Sequence, residues 1–322
     1  MYSKKRTLST KLTLQNRRID LPRDAIIDAI FLYCKLTLKN NGATGFSGKM
    51  EDVLNCLSEI RVVSDGNNVH YALSGLDVAV MNYYIFRGKG ISPDSSVSIN
   101  AGATANFEFM LTLDVGDIIA IAKDSLELSV NFTNISDEVV VENAEITVTV
   151  AENVMDINEF KAKYGANLEF AAEPKVYAIS KNFSASNELV EVMDLPTGTL
   201  LRTAFITFRD STGARSDSVT ERVGIIITTP DRRELYAVDY KTLKEYNKIL
   251  CNCDPLAGVI SIDYGAEITN DVFGIRAWKF NKGDYQLAVK GSGGSLRYVS
   301  VEFVVNTAVF DKLSMAVIEA SD

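Results

Sequence analysis

Histidine is almost missing from this chain of 322 residues; His70 is the single copy. That scarcity excludes the HExxH zinc site, any three-histidine metal centre and any dimetal enzyme built on imidazole ligands. A Ser-His-Asp or Cys-His catalyst would have to run through His70, which leaves carboxylate, lysine or tyrosine chemistry as the other enzymatic routes. Cysteine is sparse too: Cys34, Cys56, Cys251 and Cys253 are spread over the whole length. Thiols so placed make no disulfide framework, and one residue between Cys251 and Cys253 is too short a spacer for a zinc knuckle, so they read as free or buried. Tryptophan occurs once, at Trp278. No apolar run approaches the roughly 20 residues of a membrane-spanning helix, and the first residues lack the apolar segment of a signal peptide. The expectation is a water-soluble protein of intracellular origin, in which the sequons at Asn131, Asn134 and Asn182 are chance matches.

What the chain does have is 47% hydrophobic and 23% charged residues, the balance of a globular protein, at a length that favours two domains. Charge is placed unevenly. Lys4, Lys5, Arg6, Lys11, Arg17 and Arg18 lie in residues 1–18 with no acid among them, a local +6 that leaves −15 on the rest of a chain of net −9. Such a segment reads as a flexible basic arm on an acidic body. Anionic lipid headgroups and nucleic-acid phosphate are its two natural partners, and a solvated leader with no partner is the plain alternative. With no second basic stripe and no base-stacking motif, a sequence-specific nucleic-acid binder is not expected.

Period-two alternation dominates the pattern. Leu126, Leu128, Val130 and Phe132 alternate with polar residues, as do Ile146, Val148 and Val150, and Val301, Phe303 and Val305. Such alternation marks half-buried strands, and turn clusters such as Asn40-Asn41-Gly42, Ser64–Asn68, Asp210–Gly213 and Gly291–Ser295 separate them. Helical signals are short. Met50, Val53, Leu54 and Leu57 share one face; Ser74–Asp77 forms a capping box ahead of Val80 and Tyr84; Asp239 is placed to cap a helix with Leu243, Tyr246 and Leu250 along one stripe. A further helix is expected at Asp156–Tyr164.

The chain also repeats itself. Asp20-Leu21-Pro22 recurs as Asp194-Leu195-Pro196, and Phe31-Leu32 as Phe205-Ile206, at an offset of 174. Tyr71-Ala72 meets Tyr236-Ala237 at 165, and Asp77, Met81 and Tyr84 meet Asp239, Leu243 and Tyr246 at 162. Leu111–Gly116 meets Ile260–Gly265 at 149, pairing Asp114 with Asp263; Leu126 meets Tyr285 at 159, and Ile146 meets Val301 at 155. The shared order marks a duplication, with halves at 19–152 and 190–306, a linker at 153–189 and a tail at 307–322. Each half has room for about eight strands, which fits an all-β fold with short helices, two tandem eight-stranded jelly rolls. Pro22 and Pro196 would stand at the entry to the first strand of each.

Enzyme motifs fail on inspection. Gly42 to Gly48-Lys49 has five residues between its glycines rather than four, and Met50 stands where a phosphate loop needs Ser or Thr. Gly291–Ser295 reads as a hairpin loop, Arg87–Gly90 as a basic surface turn, and His70 as a surface or packing residue. The local acid pairs are Glu51 with Asp52, Asp114 with Asp117, and Asp263 with Glu267. The matched places of Asp114 and Asp263 favour turns beside Gly116 and Gly265 over catalysis. No catalytic, metal or cofactor residue is assigned.

On these features the chain resembles the double jelly-roll major capsid proteins of the adenovirus-type viral lineage. More narrowly, it is similar to those of small tailless bacteriophages with an internal membrane, such as corticoviruses and the Flavobacterium-infecting lipid-containing phage. The features that carry the resemblance are the two-copy layout, the paired Asp-Leu-Pro openings, the helix candidates before the middle of each half, the short basic arm and the small size of the chain. The resemblance implies a structural protein rather than an enzyme: a homotrimer whose six lobes form a pseudo-hexagonal capsomer tiling an icosahedral shell around a membrane. It implies that the basic arm faces that membrane, that residues 307–322 lock neighbouring capsomers, and that penton, spike and minor capsid proteins are partners. The protein would be made in the host cytoplasm and reside in the virion. The alternative carried by the residues is a carbohydrate-binding or glycan-processing tandem β-sandwich, for which a single Trp278 beside 13 Tyr is a meagre aromatic supply.

Overall fold

The computed structural model of the chain describes residues 2–154, 159, 162, 172–229, 231–269 and 274–307. Contacts divide the chain into two units, one of residues 1–78, 96–175 and 303–322, the other of 79–95 and 176–302.

In the first unit the elements run β1 (Tyr2–Thr7), β2 (Leu12–Thr13), β3 (Arg18–Asp20), β4 (Ile26–Asn40), β5 (Phe46–Lys49), α1 (Met50–Asn55), β6 (Leu57–Ser64), β7 (Asn68–Leu73), the start of α2 (Gly75–Ile85), β8 (Ser96–Ile99), β9 (Thr104–Ile118), β10 (Leu126–Phe132) and β11 (Val139–Val154). Strand β4 shows why the chain is extended here. Ile30, Leu32, Cys34, Leu36 and Leu38 are buried on one face, while the alternate residues face outward. One sheet has the order β1-β11-β4-β9, and the strands β7, β6, β10 and β3 neighbour one another in that order.

The second unit follows with β12 (Ala172–Phe183), β13 (Ser186–Asp194), β14 (Leu200–Arg209), β15 (Thr220–Ile227), β16 (Arg233–Asp239), α3 (Tyr240–Cys251), β17 (Val259–Asp263), β18 (Ile275–Arg276), β19 (Tyr285–Gly291) and β20 (Gly294–Val305). Its strands order as β12-β20-β14-β17 and β13-β19-β15-β16. Replacing β1, β11, β4 and β9 by β12, β20, β14 and β17 turns one unit's sheet into the other's, and the same holds for β3-β10-β6-β7 and β13-β19-β15-β16. The core of this unit gathers Leu201, Ile206, Phe208, Val223, Ile225, Leu287 and Tyr298 between its sheets.

The correspondence holds residue by residue at the offsets 174, 149, 165 and 159 but not at 155, where buried Ile146 would fall on Val301, which is not buried. Tyr33 faces Met110 across β4 and β9, and Thr207 faces Val259 across β14 and β17, so the offsets of 174 and 149 describe one ladder in two copies. Val62 pairs with Tyr71 and Leu128; Ile225 pairs with Tyr236 and Leu287. Leu21 N–H donates to Leu126 O at 2.8 Å, and Leu195 N–H donates to Tyr285 O at 2.9 Å. Short 3-10 turns at Ala120–Ala122 and Ala277–Lys279 also match, each entered through a residue near φ −80°, ψ 75°.

The helices differ in their surroundings. In α2 the Ser74–Asp77 capping box forms as the spacing requires, Asp77 Oδ2 accepting from Ser74 N and Oγ. Its residues from Leu76 to Asn82 are all buried. In α3, Asp239 occupies the N-cap position without a side-chain bond to the helix. Here the buried stripe is Tyr240, Leu243 and Asn247; the expected stripe of Leu243, Tyr246 and Leu250 shares only Leu243 with it, and Tyr246 and Leu250 are exposed. Residues 2–18 correct another expectation. They are not a free arm: β1 pairs with β11 from Tyr2↔Val154 to Thr7↔Thr149, β2 also pairs with β11, and Arg18 starts β3. The interval 153–189 is not all linker, because β12 and the start of β13 lie in it; β12 is the counterpart of β1. The helix expected at 156–164 lies outside the described residues except for positions 159 and 162, and the tail beyond 307 lies outside them altogether.

Candidate functional site

The basic residues near the N-terminus are held by specific partners. Glu152 on β11 is fully buried at its carboxylate, and β1 lays two cations over it: Lys4 Nζ stands 3.3 Å from Oε2, and the Arg6 guanidinium donates to Oε1. Arg6 also donates to the exposed Asp24, which holds the Asp24 carboxyl below the usual range; the same bonds raise the already basic Arg6. Lys11 pairs with Glu145 at 2.8 Å and Arg18 with Glu127 at 3.2 Å. Lys5 Nζ lies 5.0 Å from the Phe31 ring centroid, a cation–π contact, and Arg17 Nε donates to Leu14 O at 2.9 Å. Five of the six charges of this segment thus meet an acid or a ring of the same chain, and Arg17 meets a backbone carbonyl.

Candidate catalytic groups serve the fold. His70 is buried, with Nε2 2.8 Å from Ser64 Oγ and Nδ1 3.3 Å from Pro174 O, and burial lowers its pKa. Asp52 accepts from Lys49 N–H at 2.8 Å and starts α1. Asp114 and Asp263 do the same job in the two copies: each Oδ1 accepts from the N–H two residues on, Gly116 at 3.4 Å and Gly265 at 3.0 Å. Glu267 takes hydrogen bonds from Asp263 N–H at 2.8 Å and Tyr236 Oη at 2.7 Å, while burial raises its pKa. All four cysteines are free thiols; burial pushes Cys56 up to about 12, raises Cys34 further, and raises Cys251 and Cys253. Among the described residues no group of three or more His, Cys, Asp or Glu is placed to hold a metal ion.

Three of the four pairs of repeat anchors sit at matched points. Leu21-Pro22 and Leu195-Pro196 cross from β3 to β4 and from β13 to β14, and Tyr71 and Tyr236 lie on β7 and β16 just ahead of their helices. Tyr84 and Tyr246 are not a matched pair: Tyr84 lies ten residues past its N-cap Ser74, is buried and donates to Val259 O at 3.1 Å, whereas Tyr246 lies seven past Asp239 and is exposed. Two groups escaped sequence reasoning. One is Glu152. The other is Glu302 on β20, which accepts from Thr199 Oγ1 at 2.6 Å and Ser300 Oγ at 2.7 Å, close to a buried Tyr264–Tyr298 pair whose hydroxyls are 2.6 Å apart. For Glu152 the available signal was an acid standing at an apolar step of an alternating strand; Glu302, between Val301 and Phe303, stands at what reads as a polar step and gave no such signal.

No family model and no curated protein matches the chain. Solved structures do. The major capsid protein of STIV superposes with a TM-score of 0.86 at 18% identity, covering 95% of this chain and 97% of that one. A chain from the atomic structure of Sulfolobus Turreted Icosahedral Virus gives 0.85 at 18% identity, with 99% and 96% covered. The major capsid protein of bacteriophage PM2 gives 0.58 at 11%, with 94% and 97% covered. The backbone thus follows the Sulfolobus virus protein more closely than the corticovirus protein that the sequence features pointed towards. Over nearly its whole length the chain has the double jelly-roll fold of these viral major capsid proteins.

Proposed function

We propose that the chain is itself a viral major capsid protein, a structural component of the virion made in the host cytoplasm. It assembles as a homotrimer, each copy giving two lobes to a pseudo-hexagonal capsomer that tiles an icosahedral shell. The observation that carries this reading is one eight-stranded roll built twice in matching register, combined with a likeness to capsid proteins that spans 95% of the chain. A shell needs rigid sheets and extensive contact surface and needs no cleft chemistry, and fused rolls of diverged sequence let the six sides of a capsomer differ. The titratable groups that might suggest an enzyme each have a structural partner. Penton, spike and minor capsid proteins complete the shell. An internal membrane belongs to the same reading, its lipid contact falling to exposed Arg17 because Lys4, Arg6, Lys11 and Arg18 already hold carboxylates. Light scattering on purified protein tests the core of it: the expected species is about 106 kDa, three times 35.4 kDa, or larger shells. A 35.4 kDa monomer at all concentrations would overturn the reading.

A further inference from the structure

The repeat supplies a filled contact and, elsewhere on the same chain, both halves of an unfilled one. In the second unit, α2 lays the Tyr84 ring 6.1 Å from the Phe205 ring of β14 and donates from Tyr84 Oη to Val259 O of β17. Phe205, Thr207 and Val259, the seat for this tyrosine, are all buried. The offsets of 174 and 149 carry these three residues onto Phe31, Tyr33 and Met110, with Tyr33 facing Met110 as Thr207 faces Val259. That second seat is open: Tyr33 is 40% and Met110 55% exposed, with half-buried Phe31 beneath Lys5 at its rim.

Counted from the N-caps Ser74 and Asp239, which lie 165 residues apart as do the buried Asn82 and Asn247, Tyr84 falls on Ile249 of α3. That helix face is open as well, with Tyr246 39%, Leu250 47% and Ile249 79% exposed. Apolar side chains at i, i+3 and i+4 on the outer face of a helix mark a contact surface rather than scattered exposure. Two of the charges beside these surfaces are paired within the chain, Lys35 with Glu108 at 3.3 Å and Lys248 with Asp254 at 2.8 Å. Closing the two surfaces together therefore leaves those charges with their partners.

We propose that α3 of one copy docks through Tyr246, Ile249 and Leu250 onto the Phe31–Tyr33–Met110 patch of a second copy, repeating between chains the seat that α2 takes within one. The occupant is a second copy because this chain carries both matched surfaces and the template that joins them. Such a contact is head-to-tail, so it generates a ring when the rotation closes, and closure after three copies gives the six-lobed capsomer. The proposal rests on the capsomer reading and adds to it the residues that join the subunits.

The test uses the full-length chain and four variants: Ile249→Asp, Met110→Asp, a chain with both Met110→Lys and Ile249→Asp, and Val190→Asp as a control at an exposed apolar site outside both surfaces. Circular-dichroism melting confirms that each is folded, and light scattering across a dilution series gives the trimer dissociation constant. Each single docking variant is expected to weaken the trimer at least about tenfold, as loss of a central apolar anchor does. The opposite-charge pair is expected to recover most of that loss, and Val190→Asp to leave the trimer unchanged. A wild-type trimer that all four variants leave intact overturns this interface while the capsomer reading stands. A wild-type chain that never trimerises overturns both.

Discussion

Replacing Arg6 with methionine removes one partner of a carboxylate that has no access to water. Breaking a buried ion pair from one side costs about 3–5 kcal/mol, because the remaining charge stays buried without compensation. Two features of the site reduce that figure. Lys4 remains 3.3 Å from Glu152, and the Arg6 side chain is 36% exposed, so part of its interaction is screened. The expected loss is then about 2–3 kcal/mol, equivalent to a Tm about 5–10 °C lower for a body of this size. Asp24→Asn removes the other partner of Arg6, but that carboxylate is 60% exposed, and the expected cost is about 0–1 kcal/mol. Adding Glu152→Leu to Arg6→Met takes away the stranded charge and is expected to restore most of the stability. Acid provides a second signature. Asp24 is held below its unfolded value of 3.8, so its contribution is complete above that pH and disappears as pH falls through the lower folded value. Arg6→Met should flatten this acid limb. Urea unfolding between pH 7 and pH 2 measures both effects. An Arg6→Met chain that loses no more stability than Asp24→Asn would refute the claim that β1 is anchored through buried Glu152.

Two further outcomes follow from the packing. Burial depresses the His70 pKa below 6.5, so the unfolded chain binds the extra proton first and stability declines as pH falls from 6.5 towards the folded value; the urea midpoint should drop over that window in the wild type and less in His70→Gln, and equal slopes would remove His70 as the cause. A Cβ on Gly75 would meet Leu54 O at 2.6 Å and Leu57 Cβ at 2.8 Å, whereas one on Gly102 meets nothing within 4 Å and only carries the strain of φ +67°. Gly75→Ala should therefore cost about 1–3 kcal/mol and Gly102→Ala about 1 kcal/mol, and the opposite order in urea midpoints would contradict the close approach of α1 to the start of α2.

The duplicated fold was legible because its markers are local and chemically unusual. Asp-Leu-Pro, Tyr-Ala and Asp-x-Gly each fix a turn or a strand end, and the ladder registers at Tyr33–Met110 and Thr207–Val259 repeat the spacing those markers set. Strand β1 was not legible for a physical reason. Its lysines and arginine look like a solvated run until Glu152 is brought beneath them from 146 residues away. The same limit hid β12, whose counterpart is β1 and which shares no local anchor with it. On α3 the apolar stripe was visible but its direction was not, since Tyr246 and Leu250 have the same spacing whether they face their own core or a neighbouring copy.

Electron microscopy of the assembled protein tests the central claim most directly. The account predicts capsomers of three chains with threefold symmetry and a six-lobed, nearly hexagonal outline, alone or tiled in shells. Dispersed single chains, or rings whose lobe number is not twice the number of chains, would contradict it.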